Sequence, residues 1–128
     1  MTINRSIDIE DEIRIALKDH MTAYCRPLPK NFLTPCILIT QVGGDDQDGQ
    51  IDTFDVTLDA RAKNSADANE YLRNAIGILR KVAKDQSTAI RHVTVNTSGS
   101  WGSDPVRPEL SMYSARISVV AHLEQITI

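Results

Sequence analysis

Basic charge is in short supply. Fourteen Lys and Arg stand against seventeen Asp and Glu, a net charge of −3. That argues against a general nucleic-acid binder, because such proteins neutralise phosphates with a cationic surplus. Long apolar runs are missing too, and none approaches the roughly 20 residues of a membrane span. The opening MTINRSIDIEDE has no apolar signal-peptide core, so the expectation is a chain made and kept in the cytoplasm with no membrane partner. Cys25 and Cys36 are too few and too far apart for a zinc site and are expected as reduced thiols, Cys36 as a small core residue. There is no Gly-rich phosphate loop, no dinucleotide fingerprint and no metal-spaced His/Cys cluster, so no cofactor or metal is expected. The missing catalytic signature points to a structural or binding role.

What is present is a clear period of two. In IDTFDVTLDARA, residues 51–62, Phe54, Val56, Leu58, Ala60 and Ala62 alternate with Thr53, Asp55, Thr57, Asp59 and Arg61. This is a strand with one dry and one wet face. A fully buried parallel strand would read as one continuous apolar run instead. The dry face needs a cover. Asn64 and Ser65 offer an N-cap, and Ala68, Leu72, Ala75, Ile76, Leu79 and Ala83 recur at helical spacing with Lys81 and Lys84 at the C-terminal end. The spacing predicts a helix over 66–84 that lids the strand.

Upstream, Ile9, Ile13, Ala16, Leu17, His20, Met21 and Tyr24 share one helical face behind Ser6 or Asp8 as N-cap, which predicts a helix over 8–24. Arg26-Pro27-Leu28-Pro29 stops it. CILITQV predicts a strand over 36–42 that Gly43-Gly44 ends, and the acidic DDQDGQ turns it into the 51–62 strand as an antiparallel hairpin. IRHVTVNT predicts a strand over 90–97, SGSWGSDPVRPE a long loop, and MYSARISVVAHLEQI a final alternating strand. Residues 1–5 read as a frayed end. At 128 residues, 41% of them hydrophobic and 24% charged, the chain fits a single soluble domain. The order α-β-β-α-β-β predicts an α+β fold, an antiparallel or mixed sheet with its helices packed on one face.

Four constellations invite chemistry. Asp45, Asp46, Asp48 and Gly49 partly fit a calcium loop. Its first ligand position would be Gly44 and its last Asp55 rather than Glu, and its flanks are strands, so a solvated turn is the reading. Ser98-Gly99-Ser100-Trp101-Gly102 nearly matches a nucleophile elbow, but Asp104-Pro105 follows in place of a helix. His92 and His122 approach each other if their strands pair, as surface histidines or as an acid–base or metal pair. An enzyme or ligand-binding module would work through Ser100, Asp104, His92 and His122. Asp52, Asp55 and Asp59 lie on one strand, where cross-strand partners such as Arg116 account for the exposed pair. Trp101, with Arg107 close in sequence, either anchors an interface or plugs the end of the core.

The ordered set Pro35, Ile37-Leu38-Ile39, Gly43-Gly44, Asp55-Val56-Thr57-Leu58-Asp59, Ser65-Ala66-x-Ala68, Leu72, Leu79 and Tyr113-Ser114-Ala115-Arg116 resembles the tail terminator (tail-completion, head–tail joining) proteins of long-tailed bacteriophages. The resemblance spans nearly the whole chain and rests on short motifs. It implies a non-enzymatic virion protein, assembled in the host cytoplasm. Six copies would form a ring that caps the tail tube and binds a neck or head-completion protein, with genomic DNA in transit through the channel. The charge of −3 suits a lumen that must not grip that DNA. Docking surfaces are expected at the 43–50 loop (Gly43, Gly44, Asp45, Asp46, Asp48), at the 98–109 loop (Trp101, Asp104, Arg107) and at exposed sheet edges, with Asp55, Asp59, Arg61 and Arg116 as further interface residues. The wet face of 51–62 is expected to be a seam between copies.

Overall fold

The computed structural model describes residues 1–46 and 51–128. Its elements are β1 (Thr2–Arg5), α1 (Ile9–Leu17), β2 (Ala23–Cys25), β3 (Cys36–Asp46), β4 (Ile51–Ala62), α2 (Ser65–Asp85), β5 (Ile90–Ser103), β6 (Ser111–His122) and β7 (Glu124–Thr127). The expected α-β-β-α-β-β order is there as α1-β3-β4-α2-β5-β6, with three short strands added. A five-stranded sheet runs β2-β3-β4-β6-β5, parallel only between β2 and β3. β1 and β7 form a separate antiparallel ribbon.

β4 is the centre of the sheet. Its alternation buries Phe54, Val56, Leu58, Ala60 and Ala62 against the helices. α2 caps its first turn by donating the Asp67 N–H to the Asn64 side chain at 2.9 Å. Its buried stripe is the six residues of the helical pattern, Ala68, Leu72, Ala75, Ile76, Leu79 and Ala83. Ile9, Ile13 and Leu17 of α1 join Ile37, Ile39, Ile117, Val119 and Ile90 from the sheet in one core. Both helices cover the same sheet face.

Several boundaries differ from the sequence reading, each for a physical reason. α1 stops at Leu17 rather than Tyr24. His20 and Met21 both donate backbone N–H to the Leu17 carbonyl, and the Thr22 N–H goes to the Tyr71 hydroxyl at 2.6 Å, which turns 23–25 into an edge strand beside β3. Gly43-Gly44 does not end β3: the register slips at Val42 as a bulge, and pairing resumes with Gly43 opposite Asp55 and Gly44 opposite Phe54. Residues 98–103 are strand rather than loop, because β6 pairs them with Ser100 opposite Ser114 and Trp101 opposite Tyr113. The final stretch breaks at Leu123 into β6 and β7. The 1–5 segment is not frayed: it pairs with β7, and Arg5 bonds Glu124 at 2.5 Å.

The second sheet face carries no helix. At one end it is covered by loops, where Phe32, Cys36 and Leu110 are buried together with Tyr24 and Leu28 packed on them. The rest is open.

Candidate functional site

The covered end of the open face holds a buried, hydrogen-bonded ion pair. Arg61, on the wet side of β4, lies in register with Cys36 of β3 and Met112 of β6. Its Nε donates to Asp104 Oδ2 at 2.7 Å, with the two side chains only 9% and 3% exposed. The other Asp104 oxygen, Oδ1, accepts the backbone N–H of Val106 at 2.9 Å and of Arg107 at 3.2 Å. One carboxylate thus ties the sheet to a folded turn. The turn closes with the Leu110 N–H on the Arg107 carbonyl and the Asp104 N–H on the Leu110 carbonyl. Arg107 lays its guanidinium over the Phe32 ring, 4.9 Å from the centroid.

Burial pushes the Asp104 carboxyl up, but the Val106 and Arg107 N–H groups and the Arg61 guanidinium outweigh it and hold the group below its ordinary range. Burial also drives the neighbouring Cys36 thiol up to about 11, with the Arg61 charge only partly opposing it. Arg61 Nη1 is buried without a hydrogen-bond partner. Leaving such a donor unmatched costs about 1–3 kcal/mol, more for a charged group.

The open part of the face is polar and ordered. Asp59 faces Ser114 and accepts its hydroxyl at 2.5 Å, and Asp55 faces Ser118 and accepts its hydroxyl at 3.0 Å. Asn96 of β5 extends the second pair by donating to Ser118 Oγ at 2.7 Å. Arg116 sits between the two aspartates in register with Thr57. Among the described residues it forms no ion pair, so serines rather than Arg116 are the cross-strand partners of these carboxylates.

The expected docking residues therefore divide into groups. Arg61, Asp104 and Arg107 converge, although 43 residues separate the first two. Asp55, Asp59 and Arg116 share the open face. Trp101 lies on the opposite face of β5, 60% exposed, opposite the partly buried Tyr113, so it does not plug the core. Gly43 and Gly44 resume the ladder just after the β3 bulge at Val42. Asp45 and Asp46 lend backbone to β3, and their side chains lie outside the described residues together with Asp48 and Gly49, where the calcium reading would have placed its ligands.

The four residues of the enzyme reading do not come together as a set. His92 faces Val120, which makes His122, two positions further along β6, its diagonal neighbour on the same face as expected from strand pairing, and both histidines are exposed. Ser100 is eight residues along β5 from His92, roughly 25 Å at about 3.3 Å per residue. Asp104 is committed to Arg61. Among the described residues, no group of three or more His, Cys, Asp or Glu side chains could hold a metal ion. No described helix is long and apolar enough to cross a membrane.

Two features escaped the sequence pattern. Asp52 is buried on the helix side of β4, accepts the Ser6 hydroxyl on one oxygen and leaves Oδ1 unmatched. Its place in the alternation, two before Phe54, was the available signal. Glu10 of α1 reaches the outer edge of β3, accepting the Gln41 N–H at 2.9 Å and Arg26 Nη2 at 2.6 Å. Nothing local marks that role.

The fold defines an α+β protein with one sheet face covered by helices and the other largely bare. Comparison with protein-family models and with curated proteins finds no match to this chain.

Proposed function

We propose that this chain is a structural assembly subunit of the tail-terminator type: a protein that closes into a ring of about six copies, caps a phage tail tube and docks a neck or head-completion protein. The observation that carries the reading is β5. It is fourteen residues long, stands at the edge of the five-stranded sheet, and bears the exposed Trp101 near its end. A long edge strand offers a row of backbone donors and acceptors for pairing, here interrupted by register slips at Arg91, at Asn96 and at 98–99. The other edge differs, since β2 spans three residues and the Glu10 carboxylate takes the Gln41 N–H beyond it. Two unlike edges favour a head-to-tail contact, which closes into a ring when the rotation permits. The open face, with Asp55, Asp59 and Arg116, is a second surface for the seam, and DNA would pass through the channel without being gripped.

Negative-stain imaging of the purified protein, alone and mixed with isolated tail tubes, tests this reading. The expected images are rings with a central hole, or tubes carrying a cap at one end. Protein that stays monomeric, leaves tubes uncapped and hydrolyses an ester or binds zinc would sink it.

A further inference from the structure

A groove of about 550 Å³ opens where the bare sheet face meets its loop-covered end. It is lined by Leu38 of β3 and Arg61 of β4, by Lys30 and Phe32, and by Asp104, Val106 and Arg107. Its volume is in the range of specific ligand pockets, roughly 300–1,000 Å³. The lining is mostly apolar, and Val106 stands 84% exposed at the lip.

The polar groups of this groove are lopsided. Its one carboxylate, Asp104, has both oxygens engaged, one by Arg61 and one by two backbone N–H groups. Two of its three cations keep donors open to the groove, since Arg61 Nη1, although unmatched, is itself closed off from solvent. Arg107 spends only its Nε, on the exposed Glu109 at 3.1 Å. Lys30 is exposed, with no ion pair among the described residues. An apolar base ringed by donors whose acceptor is already used complements an apolar group that carries free carboxylates. On a chain of net charge −3 this local sign reversal selects against most of the molecule's own surface. The walls are already set, since the Asp104 turn is hydrogen-bonded shut and Arg107 is stacked on Phe32, so little ordering opposes binding.

We infer that this groove is a docking site for an acidic-apolar segment of a partner protein, in which a Leu- or Phe-type side chain enters beside Asp or Glu residues. The apolar side chain covers Leu38, Phe32 and Val106, and the flanking carboxylates meet Lys30 and the outer N–H groups of Arg107. The site does not require the ring.

The test uses the full chain and three fluorescein-labelled peptides: acetyl-Gly-Asp-Leu-Phe-Glu-Gly, the same peptide with Lys at both acidic positions, and the same peptide with Ser at both apolar positions. Anisotropy titrations should show saturable binding of the first alone. Lys30→Glu and Val106→Asp, both on exposed side chains that leave the fold intact, should each weaken it by about tenfold or more. Arg80→Glu, exposed on α2, should leave it unchanged. Backbone amide shifts should map to 28–32 and 104–107. Equal binding of the lysine or serine peptide, indifference to Lys30→Glu and Val106→Asp, or no saturable binding would overturn the assignment. Self-association abolished by Val106→Asp would overturn it in favour of a second copy.

Discussion

Arg61 and Asp104 stand 43 residues apart in the chain and 2.7 Å apart in the fold, with the guanidinium Nε donating to a carboxylate that is 3% exposed. The pair is the bolt between the central strand and the turn that walls the groove. Removing one member strands the other. Asp104→Ala should cost about 3–5 kcal/mol, because a buried charge loses its partner and the turn loses its anchor. Asp104→Asn keeps an acceptor for the Val106 and Arg107 N–H groups and should cost less. Combined with Arg61→Met, it should cost less than the two single losses added together, with a coupling on the order of 1–3 kcal/mol in a denaturant double-mutant cycle.

The same carboxylate sets an acid limit. Its folded-state pKa lies below its ordinary value, so its contribution to stability is fully present above the unfolded pKa of about 3.9 and is lost as pH falls through the lower folded value. Glu10 acts in the same direction: burial raises its pKa, while Arg26 and the Gln41 N–H more than offset that. Melting temperature should therefore be insensitive to these groups near neutrality and fall below pH ~4. Asp104→Asn should flatten that fall while lowering the neutral plateau.

Thiol labelling reports the covered end of the open face. Cys36 is fully buried with its pKa pushed up to about 11, and Cys25 is only partly buried. At neutral pH the thiolate, the reactive form, is scarce at Cys36. Iodoacetamide on the native protein should modify Cys25 slowly and Cys36 not at all, whereas in denaturant both should react, as read by peptide mass.

The two glycines that follow the β3 bulge should separate cleanly. A Cβ on Gly44 would lie 2.5 Å from the Thr53 carbonyl oxygen, and the residue has φ +152°. A Cβ on Gly43 would rest 3.5 Å from an Asp55 oxygen, an ordinary contact. Gly44→Ala should cost about 1–3 kcal/mol through strain and a displaced β4, and Gly43→Ala should stay within about 0.5 kcal/mol, both by chemical denaturation.

These particulars also show where the sequence was legible. β4 and the stripe of α2 could be read because each has one dry face, and a dry face writes a period into the chain. α1 was read too long because His20, Met21 and Tyr24 keep the helical spacing, and the winning interaction, β2 on β3, is a tertiary pairing that no local pattern records. Gly43-Gly44 and 98–103 looked like stops because of their glycines and serines, yet a neighbouring strand supplied partners for both. β1 and β7 are four residues each, too short to show a period. At the site, Arg61, Asp104 and Arg107 could be named singly as polar or interface types. That Arg61 is buried, not wet, depends on a turn 43 residues away, and Arg116 was expected to pair where Ser114 and Ser118 do.

The measurement that bears most directly on the proposed role is sedimentation velocity of the full chain over a wide concentration range, with and without tail tubes, for the wild type and Trp101→Asp. A closed ring of six copies of 14.2 kDa has a mass of about 85 kDa, and closure fixes that mass against further growth. A single boundary of that size is expected, or a monomer that leaves the free pool when tubes are added, with loss of either behaviour in Trp101→Asp. A wild-type chain that remains monomeric throughout and ignores the tubes, or one that grows into an open series of ever larger species, would contradict it.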